Sequence, residues 1–410
     1  MRLASQFLAA ICLLTPATAG TRDGSQDHNV IENFLSLEWE AGTGDVPDDF
    51  ILARPGEEGI AVDRSGRLFV MDEDRMKVFD STGGPLQIVG GPGQGPGEFE
   101  NCRRITISET GFLTVSSGNA IQTVHVFSPE LEFLDRYNYR SQEPLTGFFS
   151  ERERRASRPR RVVSYSLNDR MYYVETRDRA GGFAGPRWET LVHESYGTIQ
   201  VLCDYSVTNF ISIEGVGTSF DFLGALHSDV LENRRVVYSH TVFDVEQTEE
   251  GSFYLLRIER LDGGDQVVIR RRYTPVPVVD DDIAPWREGF ADISDPRSRQ
   301  AFEDLSREVD RRLSDTTHKA PLARLLADRH YIFAVTYTMR DGSHLLTDVF
   351  EADTGAYLSS VYMPCHSYGE PGISLIRDGF AYEVSDYWSE EPEEPTVRRY
   401  RIDSRVYGPH

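Results

Sequence analysis

Cysteine is scarce in this chain, with four in 410 residues, and the first of them, Cys12, falls in a leader-like segment. Arg2 there gives a positive start, Phe7 to Leu14 a short apolar stretch, and Ala17-Thr18-Ala19 a small-x-small cleavage signal. Residues 1–19 therefore read as a secretory signal peptide cut after Ala19. The alternative, a lipoprotein anchored at Cys12, puts bulky Ile11 where a small residue is required. The mature chain would keep Cys102, Cys203 and Cys365, an odd number with no C-x-x-C spacing. That excludes a disulfide framework, a thioredoxin-like motif and a zinc knuckle, and leaves at most one bridge. No later apolar run approaches the ~20 residues of a membrane-spanning helix. Positive charge is also short: 43 Lys and Arg against 66 Asp and Glu give a net charge of −23. A chain so acidic repels a phosphate backbone, so nucleic acid is not expected as a partner. Motifs of common enzymes are missing too. There is no G-x-S-x-G elbow, His193-Glu194-Ser195-Tyr196-Gly197 lacks the second His of H-E-x-x-H, and the glycines of 90–97 break the G-x-G-x-x-G spacing.

What is present is a strand rhythm, clearest over residues 59–99. Ile60 and Val62 are separated from Leu68-Phe69-Val70 by Asp63-Arg64-Ser65-Gly66, a tight turn with Gly where positive φ is needed. Asp72-Glu73-Asp74 turns the chain into Met76-Lys77-Val78-Phe79, and Asp80-Ser81-Thr82-Gly83-Gly84 into Leu86-Gln87-Ile88-Val89. Four strands with three short turns form one propeller blade. The Gly- and Pro-rich segment 90–99 is then a crossover to the next blade rather than a phosphate loop. The order G-I-A-V-D-x-x-G-x-L-F-V-x-D, K-V-F-D-x-x-G and G-P-G-E-F resembles the NHL-type repeat, especially that of secreted bacterial six-bladed, TolB-like propellers. The resemblance implies an all-β, six-bladed β-propeller and says little about chemistry.

The same rhythm continues with less regularity. A second blade is expected from Ile105 to Tyr137, a third from Val162 to Tyr205 and a fourth from Arg235 to Arg270, leaving 206–233 unassigned. Asp295-Pro296 opens an amphipathic helix over about 294–314, with Phe302, Leu305, Val309 and Leu313 on one stripe. Glu303 with Arg307 and Glu308 with Arg312 stand at i,i+4 on its outer faces. A fifth blade follows from Tyr331 to Val361, and a sixth from Ile373 to Ile402 that is one strand short. The alternating stretch 30–39 supplies that strand, closing a single ring over 30–405 and removing its exposed edge. Six blades of roughly forty to forty-five residues use about two thirds of the chain, so loops and the helical insertion take up the rest.

Candidate functional residues are few. Arg152, Arg154, Arg155, Arg158, Arg160 and Arg161 crowd one segment between the second and third blades. They are candidates for an anion or an acidic partner, set against the plainer expectation of a loop whose arginines pair with their own carboxylates. His125, His227 and His240, like the acidic runs Asp280-Asp281-Asp282 and 390–394, have no metal-ligand spacing. The expected function is an exported, monomeric, non-enzymatic binding or scaffold protein of the cell envelope. It would recognise a protein or small ligand through the loop face and central depression, without a cofactor. The alternative is a lactonase-like or lyase-like propeller enzyme with a divalent metal in the channel. Metal analysis separates the two.

Overall fold

The computed structural model describes residues 29–408 apart from 45, 103, 118–122, 144, 181–184, 214–215, 290–294, 367–370 and 386–394. The expected leader, with Cys12 and the Ala19 junction, and the acidic run 390–394 lie outside the described residues. Strand β1 (Leu35–Ala41) precedes six antiparallel sheets arranged as the blades of a propeller. Blade 1 is β2 (Ile60–Val62), β3 (Leu68–Asp72), β4 (Arg75–Phe79) and β5 (Pro85–Val89). Its turns are built as the sequence dictates: Asp63 Oδ1 accepts from the N–H groups of Ser65 and Arg67, both at 2.9 Å, and Gly66 takes φ +81°. Asp80 repeats this with Thr82 at 2.7 Å and Gly84 at 3.0 Å. In the crossover, Gly90 sits at φ +70°, where a Cβ would stand 2.4 Å from the Phe99 ring. That absence lets Phe99 bury completely between blades 1 and 2, against Phe127 and His125.

Blade 2 is β6 (Arg104–Ile107), β7 (Leu113–Ser117), β8 (Thr123–Phe127) and β9 (Phe133–Asn138). A short helix, α1 (Leu145–Ser150), leads to blade 3: β10 (Arg154–Ser166), β11 (Asp169–Asp178), β12 (Arg187–Ser195) and β13 (Thr198–Ser206). The arginine-rich segment is thus the start of a strand and not a loop, since it pairs with β11 from Arg154↔Asp178 onward through two bulges.

A hairpin, β14 (Phe210–Ile213) and β15 (Val216–Ser219), precedes blade 4. This blade corrects the sequence expectation. Its innermost strand is β16 (Leu226–Leu231), followed by β17 (Arg235–His240), β18 (Val245–Thr248), β19 (Gly251–Arg260) and β20 (Val267–Tyr273). Residues 241–244 break the second strand, so β17 and β18 lie end to end along β19. Blade 5 likewise begins earlier than expected, with β21 (Leu322–Asp328) before β22 (Tyr331–Arg340), β23 (His344–Glu351) and β24 (Tyr357–Pro364). Blade 6 is β25 (Ile373–Arg377), β26 (Phe380–Val384), β27 (Val397–Ile402) and the N-terminal β1, which pairs with β27 from Leu35↔Ile402 to Ala41↔Val397. Glu38 and Glu40 of β1 face Arg399 and Arg398 of β27 at 2.6 and 2.7 Å.

Between blades 4 and 5 lie α2 (Ala284–Glu288) and α3 (Pro296–Ser314), the latter capped by Asp295, which accepts from Ser298 N–H at 2.8 Å. Leu305 and Val309 pack with Ile211 and Phe220, so the helix and the β14–β15 hairpin share one apolar cluster. The ion pairs on α3 are Arg307–Asp304 and Arg311–Glu308 at i,i+3, rather than the i,i+4 pairs expected. Among the described residues no helix is long and apolar enough to cross a membrane.

Candidate functional site

In every blade the innermost strand ends in a turn at the same face of the ring, here the turn face. The six inner strands together line a small cavity on the axis that is partly open to solvent. Its accessible lining is more polar than apolar, because Ile60, Ile105, Val163, Leu231 and Leu375, though they stand in its walls, pack into the cores between blades. Five ionisable residues also line it: Glu109, Arg161, Asp229, Glu232 and Arg377.

Each of the three carboxylates is already engaged. Asp229 ties three blades together: its Oδ1 lies 2.7 Å from Arg161 Nη1 of blade 3, and its Oδ2 accepts from Ala327 N–H of blade 5 at 2.7 Å. Glu232, Asn233 and Arg234 form the first turn of blade 4, with Asn233 and Arg234 at φ +59° and +54°. Their consecutive N–H groups point to Glu109 of blade 2, whose carboxylate accepts at 2.6 and 3.2 Å. Glu232 stands 3.8 Å from Arg64 of blade 1, 3.7 Å from Arg329 and 3.4 Å from His330 of blade 5. Blades 1 and 4 are opposite each other, so the Arg64–Glu232 pair spans the turn-face mouth. Beside it, Arg234 Nη1 binds Asp169 at 2.7 Å and His193 Nε2 lies 2.7 Å from the same carboxylate. Burial would raise the Asp169 pKa, but those two partners outweigh it and hold the group below its ordinary range.

Arg377 differs. It ends β25, lines the cavity, and its buried Nε–H has no hydrogen-bond partner. At the opposite mouth Arg324 of blade 5 pairs with Glu57 of blade 1 at 3.0 Å and donates to Ile373 O at 3.0 Å.

Of the six arginines singled out from sequence, three have described side chains, and among these Arg161 lines the cavity. Arg152 lies over the Phe148 ring at 3.7 Å and donates to Phe148 O. Arg154 binds Asp204 at 2.7 Å and covers Trp188 at 3.9 Å. Arg155, Arg158 and Arg160 belong to β10 by backbone, and their side chains lie outside the described set.

The histidines separate as well. His125 is buried against Ser117 Oγ at 3.0 Å, and His240 accepts from Val242 N–H; loss of hydration pushes both pKa values down to about 4. His227, also lowered by burial, sits near Asp221 and Arg324. Asp282 of the acidic triplet holds Lys319 at 2.5 Å. Among the described residues no three His, Cys, Asp or Glu side chains are grouped to hold a metal ion, and Cys102, Cys203 and Cys365 are free thiols.

Glu109, Asp229, Glu232 and Arg377 were not selected from the sequence as binding residues. Each stands on or just after an inner strand, and that position in the blade repeat is the signal that could have found them.

No protein-family model and no curated protein matches the chain. Solved structures similar to it include a protein of Bacteroides fragilis assigned as exported, 12% identical, TM-score 0.43, over 90% of this chain and 95% of that one. A calcium-binding regucalcin of Agrobacterium tumefaciens is 8% identical, TM-score 0.36, over 85% and 92%. A chain of the mitotic checkpoint complex is 9% identical, TM-score 0.40, over 94% and 100%. Likenesses this distant carry nothing about ligands, and the architecture stands on the strand order itself.

Proposed function

We propose that this chain is an exported, non-enzymatic propeller of the bacterial cell envelope that binds a small ligand in its central depression. The observation that carries the reading is the axial cavity, where six blades contribute backbone and a few charged groups to one concave, mostly polar space. Binding is favoured over chemistry because Glu109, Asp229 and Glu232 are held by backbone N–H groups or guanidinium groups. A carboxylate so engaged is a poor general base. Export rests on the Arg2, apolar and Ala17-Thr18-Ala19 leader pattern.

Two measurements test this. Fractionation with N-terminal sequencing should find the chain outside the cytoplasm, beginning at Gly20. Small molecules retained by the purified native protein, released by denaturation and read by mass spectrometry, should be lost in Val230→Trp, which fills the cavity. Retention of all of them by a folded Val230→Trp overturns the channel reading, and a stoichiometric, tightly held divalent ion overturns the binding-only reading.

A further inference from the structure

We infer that the bend at residues 241–244 of blade 4 is a docking surface for a basic protein segment with an apolar face. None of its residues lines the axial cavity. The bend leaves the ladder between β17 and β18 and carries Val242 and Phe243 outward, 44% and 48% exposed. Other exposed apolar side chains, Leu37, Leu86, Leu134, Val201 and Val268, stand one to a strand on outermost strands, where successive side chains point to opposite faces. Val242 and Phe243 are consecutive and lie outside any strand, so that account does not cover them. The Phe243 ring lies parallel to Tyr205 of blade 3 at 5.7 Å and against His240 at 4.6 Å, which joins two blades in one aromatic surface.

The surface is held ready. Thr241 N–H donates to Ala225 O at 3.1 Å, and its Oγ1 accepts from Ala225 N–H at 3.0 Å. Val242 N–H donates to His240 Nδ1 at 3.2 Å, and the buried Asp244 carboxylate takes His240 N–H, Tyr205 OH and Arg257 Nε–H. A loop fixed in this way loses little freedom when a partner closes over it, and aromatic side chains are enriched in the buried centres of protein interfaces.

The charges around the bend select the partner. Asp204 with Arg154, Asp244 with Arg257 and Glu246 with Arg270 cancel as pairs. Glu249 and Glu250, just after β18, are exposed and enter no ion pair among the described residues, and the whole chain stands at −23. That field works against a second copy of this chain and against an anionic lipid surface, and it attracts Lys and Arg. A cationic segment with one apolar face satisfies both the Val242–Phe243 surface and the carboxylates that follow it.

The test uses the full mature chain with amphipathic helical peptides as probes: one of Leu and Lys, one of Leu and Glu in the same pattern, and one of Ser and Lys. Calorimetric titration reads affinity, and hydrogen exchange followed by mass spectrometry reads the footprint. The Leu/Lys peptide should bind at least about tenfold more tightly than either of the others, and should slow exchange over 241–250 at least about threefold in the unmodified chain. The double variant Val242→Ser, Phe243→Ser should weaken it at least about tenfold, because a few central side chains carry most of an interface. Leu86→Ser, an equally exposed position on blade 1, should leave it unchanged.

Absence of Leu/Lys binding, equal affinity for the Leu/Glu peptide, a footprint away from 241–250, or a double variant within about twofold of the unmodified chain overturns the inference. So does a dimer in sedimentation, or binding to phosphatidylglycerol vesicles, that the double variant loses, since the occupant is then a second copy or a membrane. The footprint needs no variant and decides the matter even where the double variant does not fold.

Discussion

Blade 1 has four strands and blade 4 five, with β17 and β18 end to end in one position, and the two are held together by different means. Blade 1 is closed by local chemistry: each hairpin carries its own Asp or Gly, and the middle strands bury continuous apolar sequence such as Leu68-Phe69-Val70-Met71. Blade 4 lacks a turn of that kind between its second and third strands. There Asp244, almost fully buried, takes His240 N–H at 2.9 Å, Tyr205 OH of blade 3 at 3.0 Å and Arg257 Nε at 2.7 Å. On its other side Tyr254 and Arg271 reach Asp348 of blade 5 at 2.8 and 3.1 Å. At the break between β17 and β18 this blade is thus kept in register by buried charges shared with its neighbours.

That contrast can be broken by experiment. Asp244→Ala should cost about 3–5 kcal/mol in urea unfolding, because it strands Arg257 and two further donors in a largely buried setting. Gly90→Ala, in the crossover after blade 1, should cost about 2 kcal/mol, since φ +70° and the Phe99 contact both oppose a Cβ.

Next comes a pH effect shared by both halves of the ring. His125 and His240 are pushed down to about 4 in the folded protein, below the ordinary value of about 6.5, chiefly through desolvation. The unfolded chain therefore takes up protons first as pH falls. The stability these rings contribute is complete above about 6.5 and is lost between 6.5 and 4, each adding a slope of up to about 1.4 kcal/mol per pH unit. His125→Gln and His240→Gln should each flatten the urea midpoint profile in that window; an unchanged profile would place the acid sensitivity elsewhere. Smallest is Asp63→Ala, at about 1 kcal/mol, because its partners are backbone groups and a half-exposed Arg67 that water can serve. If Asp63→Ala matched Asp244→Ala, the distinction between the blades would collapse.

Legibility in the sequence follows the same divide. Blade 1 could be drawn strand by strand because D-x-x-G turns mark its boundaries. The inner strand of blade 4, Leu226-His227-Ser228-Asp229-Val230-Leu231, could not, because Asp229 interrupts the apolar run to serve the cavity and blade 5. The inner strand of blade 5, Leu322 to Asp328, places Leu322, Leu325 and Leu326 at helical spacing, and only pairing with β22 through a bulge makes it a strand. In the arginine segment, conspicuous as a cluster, Arg152 and Arg154 have local partners and Arg161 lines the cavity. Arg377 and Glu109 come together through ring closure, which no spacing along the chain encodes.

The pairing of β1 with β27 has a consequence in time. The bond from Arg401 to Glu38 spans 363 positions of sequence, so the sixth sheet cannot be completed until nearly the whole polypeptide is present. Contacts of such separation demand large loop-closure entropy before they give anything back, and they slow folding. Up to that moment β27 offers an open hydrogen-bonding edge to any neighbouring chain. The N-terminal strand therefore acts as a latch that commits the ring last, and the interval before it engages is when the protein is most exposed to aggregation and to proteases.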